Sequence, residues 1–137
     1  MGKTIIKKRI ELNATIKTIL GIIISSIIGV TVSLLLSVIF SYILSKSPEV
    51  SKFIGLYFVI SVLSGAFVCG FTGNKLLNFR GIVSGLICSL PFSIFILLIM
   101  LVTSNGILSG ISVLLFVFII VFSLFGGIVS SNMKRRK

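Results

Sequence analysis

The sequence predicts an all-α integral membrane protein, a bundle of four transmembrane helices. Three observations carry that expectation. Of the 137 residues 56% are hydrophobic and only 11% charged, too few charges to cover the surface of a soluble domain of this size. Apolar runs of well over 18 residues recur without an internal charge, which is the signature of a membrane-spanning helix. The thirteen Lys and Arg residues, against two acids, sit only at the ends of those runs.

Residues 1–17 form a basic juxtamembrane segment with Lys3, Lys7, Lys8, Arg9 and Lys17. Ile5, Ile6, Ile10, Leu12 and Ile16 recur near helical spacing, so the segment reads either as an interfacial amphipathic helix or as a frayed basic tail. The first span follows at about 18–44. It is too long for a cleaved signal sequence and reads as a signal anchor. Along it runs a ladder of small residues at every fourth position: Gly21, Ser25, Gly29, Ser33, Ser37, Ser41, Ser45. Small side chains let another helix approach closely, and in lipid close packing replaces the absent hydrophobic drive.

A short loop with Pro48 and Glu49 leads to the second span, about 53–73, where Ser61, Gly65, Cys69 and Gly73 repeat the four-residue step. A basic turn, Asn74–Arg80, carries Lys75 and Arg80. The third span, about 81–103, begins a ladder with Gly81, Gly85, Ser89 and Ser93. It holds Pro91 near its middle, where a kink eased by Ser89 or a neighbouring hydroxyl is expected. An uncharged loop, Ser104–Ser109, precedes the fourth span, about 110–131, which ends in Gly126 and Gly127. The tail, 132–137, is basic through Lys134, Arg135, Arg136 and Lys137. Together 18–131 make the membrane domain.

Charge sets the orientation. Eleven basic residues gather on the side of both termini and the second loop, and only Lys46 and Lys52 on the other, which places both termini in the cytoplasm of a cell that carries the protein in its plasma membrane. The same charges imply contact with anionic lipid headgroups through Lys75, Arg80, Lys134, Arg135 and Arg136. They do not imply nucleic acid, because no aromatic residues interleave an exposed basic face.

Several chemistries lack their residues. There is no histidine, and the only acids, Glu11 and Glu49, fall on opposite sides of the membrane. Acid–base pairs, nucleophile–histidine catalysis and metal clusters are therefore not expected, and neither is a cofactor. No Asp, Glu, Lys or Arg lies within a span, whereas small four-helix multidrug exporters carry an intramembrane glutamate. Cys69 and Cys88 read as small packing residues.

Gly65-Ala66-Phe67-Val68-Cys69-Gly70 aligns with Gly126-Gly-Ile-Val-Ser-Ser131 at an offset of 61. A duplicated helical hairpin is one account of this, and shared composition is the other. The same two segments, with Arg80-Gly81-Ile-Val-Ser-Gly85-Leu86, resemble the YrzE-type family of small four-helix bacterial membrane proteins. Ala66, Ser89 and Ser130 stand where that family has glycine, and Phe71-Thr72 where it has a basic pair. The resemblance implies an all-helical bundle and assigns no catalytic residue.

The sequence therefore points to a structural or interaction protein that packs with itself or with a larger membrane complex through its small-residue faces. The alternative is a passive channel, a lipid or glycolipid translocation helper, or a holin-like pore former, suggested by the hydroxyl-rich first span.

Overall fold

A computed structural model describes residues 1–46, 48–77, 79–103 and 110–136. Four long helices account for nearly all of them: α1 (Gly2–Ser45), α2 (Ile54–Leu77), α3 (Gly81–Thr103) and α4 (Gly110–Arg135), with a short 3-10 segment, Pro48–Phe53, between α1 and α2. Each of the four is long and apolar enough to cross a membrane. The expected loop at Ser104–Ser109 lies outside the described residues.

The helices pack as a rhombus. α2 touches the other three, and α3 touches α1 and α4 as well, so α2 and α3 lie across the short diagonal. Among the described residues α1 and α4 make no contact. This breaks any strict equivalence between the two hairpins, since α2 reaches α3 but α4 does not reach α1.

The interior is built from small and polar side chains. Ser25, Ser33, Ser61, Ser84, Ser89, Ser93 and Ser123 are buried, with Ala66, Cys69 and Cys88 and a few larger groups led by Phe92 and Ile119. Large aliphatic side chains such as Leu34, Val38, Leu90, Ile94 and Val117 face outward. A water-soluble fold reverses this arrangement. Here the outward residues meet hydrocarbon, and the inward ones are chosen for close approach. Buried hydroxyls would be costly if left unpaired, and most turn back on helix carbonyls. Ser25 donates to Ile22 (2.9 Å), Ser33 to Val30 (2.8 Å), Ser89 to Leu86 (2.8 Å) and Ser93 to Leu90 (2.9 Å).

Two sequence expectations need correction. The basic segment 1–17 is helical rather than a frayed tail, and it joins the first span without a break, because α1 runs continuously from Gly2. At 1.5 Å per residue its 44 residues reach roughly 66 Å, about twice the hydrocarbon thickness, so one end projects well beyond the bilayer core. The apolar-to-basic change near residue 18 is not an end of the helix. Similarly, the second turn does not begin at Asn74. α2 continues to Leu77 and takes Asn74 and Lys75 into its last turn.

α3 also continues through Pro91 as one helix. Ser89 does not serve the Ile87 carbonyl released by the proline, because its hydroxyl is bound to Leu86.

Candidate functional site: the small-residue seams and the polar end

Most of the small residues singled out by spacing are buried in helix seams, but the seams join different partners than spacing alone could say. Gly21, Ser25, Gly29 and Ser33 are the four buried positions of α1. Gly29 faces Gly65 so closely that a Cβ on residue 29 would lie 2.9 Å from the Gly65 carbonyl and 2.7 Å from Cys69 Cβ. A Cβ on residue 65 would lie 2.7 Å from both the Gly29 carbonyl and Ser33 Cβ. One turn along, Ser61 Oγ donates across the seam to the Ser33 carbonyl at 2.6 Å. Gly21 abuts Leu77, where a Cβ would stand 3.0 Å from the Leu77 side chain.

The α1 ladder is only half used. Ser37 is half-buried, and Ser41 and Ser45 are exposed.

Gly73 sits against the Cys88 thiol and so joins α2 to α3. The Cys69 thiol donates to the Cys88 carbonyl at 3.4 Å, and Cys88 Sγ lies 3.3 Å from Ser25 Oγ, so three helices meet at the two cysteines. Both are free thiols.

Gly81 and Gly85 do not close α3 onto α2, the partner suggested by their place in the hairpin. They close it onto α4. A Cβ on Gly81 would collide with the Gly127 carbonyl, and one on Gly127 with the Gly81 carbonyl. A Cβ on Gly85 would stand 2.7 Å from the Ser123 carbonyl, and Ser123 Oγ donates back to the Gly85 carbonyl at 2.9 Å. α4 is also bound to α2, where Gly70 abuts the Ser123 carbonyl and Gly126 the Phe67 carbonyl. Gly126 and Gly127 therefore serve two neighbours from adjacent positions.

The end of the bundle that carries the α2–α3 turn and the C-terminal tail is polar. Lys75, Arg80, Lys134, Arg135 and Arg136 are exposed there. Lys75 Nζ stands 5.0 Å from the centre of the Phe71 ring, within cation–π range. The opposite end has Lys46 over Tyr42 at 5.4 Å, and Tyr57 beside Phe40 with ring centres 5.3 Å apart. Tyrosines at that level suit a membrane–water interface.

Beneath the basic residues lies Asn74, 2% exposed, which the sequence had placed in the loop. Its amide is satisfied when the nitrogen donates to the Phe79 carbonyl (2.8 Å) and Ser84 Oγ (3.1 Å), and the oxygen accepts from the Ser131 N–H (2.9 Å). Ser84 then donates to the Gly81 carbonyl at 3.2 Å. One side chain thus ties the end of α2, the turn, the start of α3 and the end of α4. The signal was present in the second row of α2: Val62, Ala66, Gly70 and Asn74 step by four, and all four are buried.

Ser130 differs from the buried serines named so far. It is 3% exposed, and its Oγ has no hydrogen-bond partner among the described residues. Nor do three His, Cys, Asp or Glu side chains converge among those residues. The arrangement can hold helices at close range and present cations at one end. No family model, curated protein or solved structure matches the chain.

Proposed function

We propose that this small membrane protein is of structural or interaction type, and that α1 is the helix through which it engages a second copy or a larger membrane complex. The observation that carries this reading is the mismatch between the length of α1 and its use. Its buried positions are confined to Gly21–Ser33, while Ile5, Ile6, Ile10, Leu12 and Ile16 lie bare on the projecting turns and Ser41 and Ser45 carry the small-residue ladder on into exposed positions. A helix that extends past its own bundle with apolar side chains uncovered has more contact surface than its fold consumes.

The orientation that goes with this reading places both termini and the α2–α3 turn in the cytoplasm of the plasma membrane. Lys75, Arg80, Lys134, Arg135 and Arg136 then lie at the anionic headgroups. The likeness to the YrzE-type family is compatible with the same reading and adds no site.

The buried hydroxyls favour packing over passage. Those of Ser25, Ser33, Ser61, Ser89, Ser93 and Ser123 are spent on backbone carbonyls rather than left to line a channel. Native mass spectrometry in mild detergent tests the proposal. A dimer or a defined co-purifying membrane protein is expected, and a strict monomer with no partner would count against it. Reconstituted vesicles should leak dye and scramble lipid at the rate of empty ones; a faster rate would favour the pore reading.

A further inference from the structure

α1 carries a second pattern on the side away from its neighbours. Ile5, Arg9, Leu12, Ile16, Ile19 and Ile23 follow one another at alternating steps of four and three residues, and all six are exposed. This is the a/d spacing of a coiled coil, which keeps one row of side chains facing one partner helix. Arg9, Ile16 and Ile23 take position a of the heptad, and Ile5, Leu12 and Ile19 take position d. Gly21 and Ser25, which face the bundle at the same level, fall at f and c on the opposite side of the helix. The row is therefore open over residues 5–23, about 27 Å of helix. Farther along, the small-residue ladder drifts round the helix until Ser33 brings a d position into the bundle, and the row ends.

An exposed isoleucine in lipid needs no partner. Ile5, Leu12 and Ile16 differ, because they are interspersed with Lys3, Lys7, Lys8, Arg9 and Lys17 on turns that overrun the bundle. Apolar side chains in that company call for cover. The placement of the charges says which cover fits. Lys7 sits at f, Lys3 and Lys17 at b, and Glu11 at c, all clear of the seam. In a parallel pair position g meets e of the next heptad on the facing helix, so Lys8 meets Asn13 and no like charges oppose each other at the flanks. Arg9 is the one charge within the row. A single polar residue at a fixes the register and number of strands, at some cost in stability.

We propose that two copies of this protein pair through this row, as a parallel two-stranded coiled coil of α1 over residues 5–23 with the two bundles on the outside. Copies inserted with the same orientation run parallel, and a row shared by both is self-complementary about a two-fold axis. The pairing rests on the reading of α1 as the partner-facing helix, and it commits that helix to one face and one occupant.

The test uses full-length protein in native membranes and a short bis-maleimide. Wild type is the blank, because its own two cysteines are buried. Leu12→Cys and Ile16→Cys should crosslink to dimer at least about fivefold more than Ala14→Cys, which is exposed but lies at f, away from the seam. Differently tagged wild type and Arg9→Glu chains are then expressed together. Opposite charges at the same a position should favour the mixed dimer about threefold over the two like pairs combined. Equal crosslinking at the three positions, dimers from Ala14→Cys alone, or mixing in statistical proportion would each overturn the seam. Native mass spectrometry of the same samples separates the two levels. Absence of crosslinks beside a dimer or a co-purifying membrane protein overturns this seam and leaves the interaction role standing, whereas a strict monomer overturns both.

Discussion

Replacing Gly65 with alanine adds one methyl group to the seam between α1 and α2. The new carbon would lie 2.7 Å from the Gly29 carbonyl, 2.7 Å from Ser33 Cβ and 3.4 Å from the Phe92 ring. Comfortable carbon contacts fall at about 3.5–4.0 Å, so α1 must retreat by roughly 1 Å. Neither of the two nearest obstacles can turn aside, since one is backbone and the other is fixed to it. Overpacking of this kind costs about 1–3 kcal/mol. The retreat also opens the bond from Ser61 to the Ser33 carbonyl, 2.6 Å at present, and such a bond in a membrane contributes about 0.6 kcal/mol. Alanine's better helix propensity returns up to about 1 kcal/mol. The net expected loss is about 2 kcal/mol. Gly55 is the internal control, for it lies on the same helix with nothing within 4 Å of a Cβ, and Gly55→Ala should be neutral or slightly stabilising. Cys69 and Cys88 supply the assay, because both are buried and free. Their maleimide labelling tracks the opened population when closing is faster than modification. At 2 kcal/mol Gly65→Ala should label about 30-fold faster than wild type. If it labels at the Gly55→Ala rate, the seam is not close-packed and the role assigned to the small-residue ladder is wrong.

Other perturbations follow from the same geometry. Asn74→Leu should cost about 2–3 kcal/mol, because it strips the Phe79 carbonyl and the Ser131 N–H of their buried partner; it should also speed tryptic cleavage after Lys75 and Arg80 in detergent. Gly73→Ala should destabilise by driving into the Cys88 thiol, and adding Cys88→Ala should recover part of the loss, so the double variant is measured as less than additive. Gly81→Leu or Gly85→Leu should separate α3 from α4, seen as loss of a disulfide engineered across that seam, while the α1–α2 seam stays intact. In native membranes neither cysteine of the wild type should react with maleimide within the time that unfolding in strong detergent makes both react.

Much of this architecture was legible in the sequence, and the gaps have definite physical causes. Apolar runs and their charged ends located four helices, and the four-residue steps located the faces that pack. A period identifies a face but not its partner. Gly81 and Gly85 follow the turn from α2, yet they meet Gly127 and Ser123 of α4, because Gly70 and Gly126 let α4 come close to α2 and leave the α3 glycines nothing nearer. The ladder of α1 reads as seven equal rungs, but only Gly21, Ser25, Gly29 and Ser33 are buried. Asn74 looked like a loop residue because it is polar and precedes Lys75. Its burial depends on Ser131 and Phe79, which lie far off or across the turn in sequence. Ser130 carries no local mark at all; its isolation exists only in three dimensions.

Photo-crosslinking in native membranes decides whether α1 faces a partner. A photoreactive residue is placed in turn at Ile10 and Ser41 on α1, and at Phe125 on the exposed side of α4. Adducts of discrete mass are expected from Ile10 and Ser41 and not from Phe125. Uniform absence of adducts, or adducts from Phe125 alone, would contradict the assignment of α1 as the partner-facing helix.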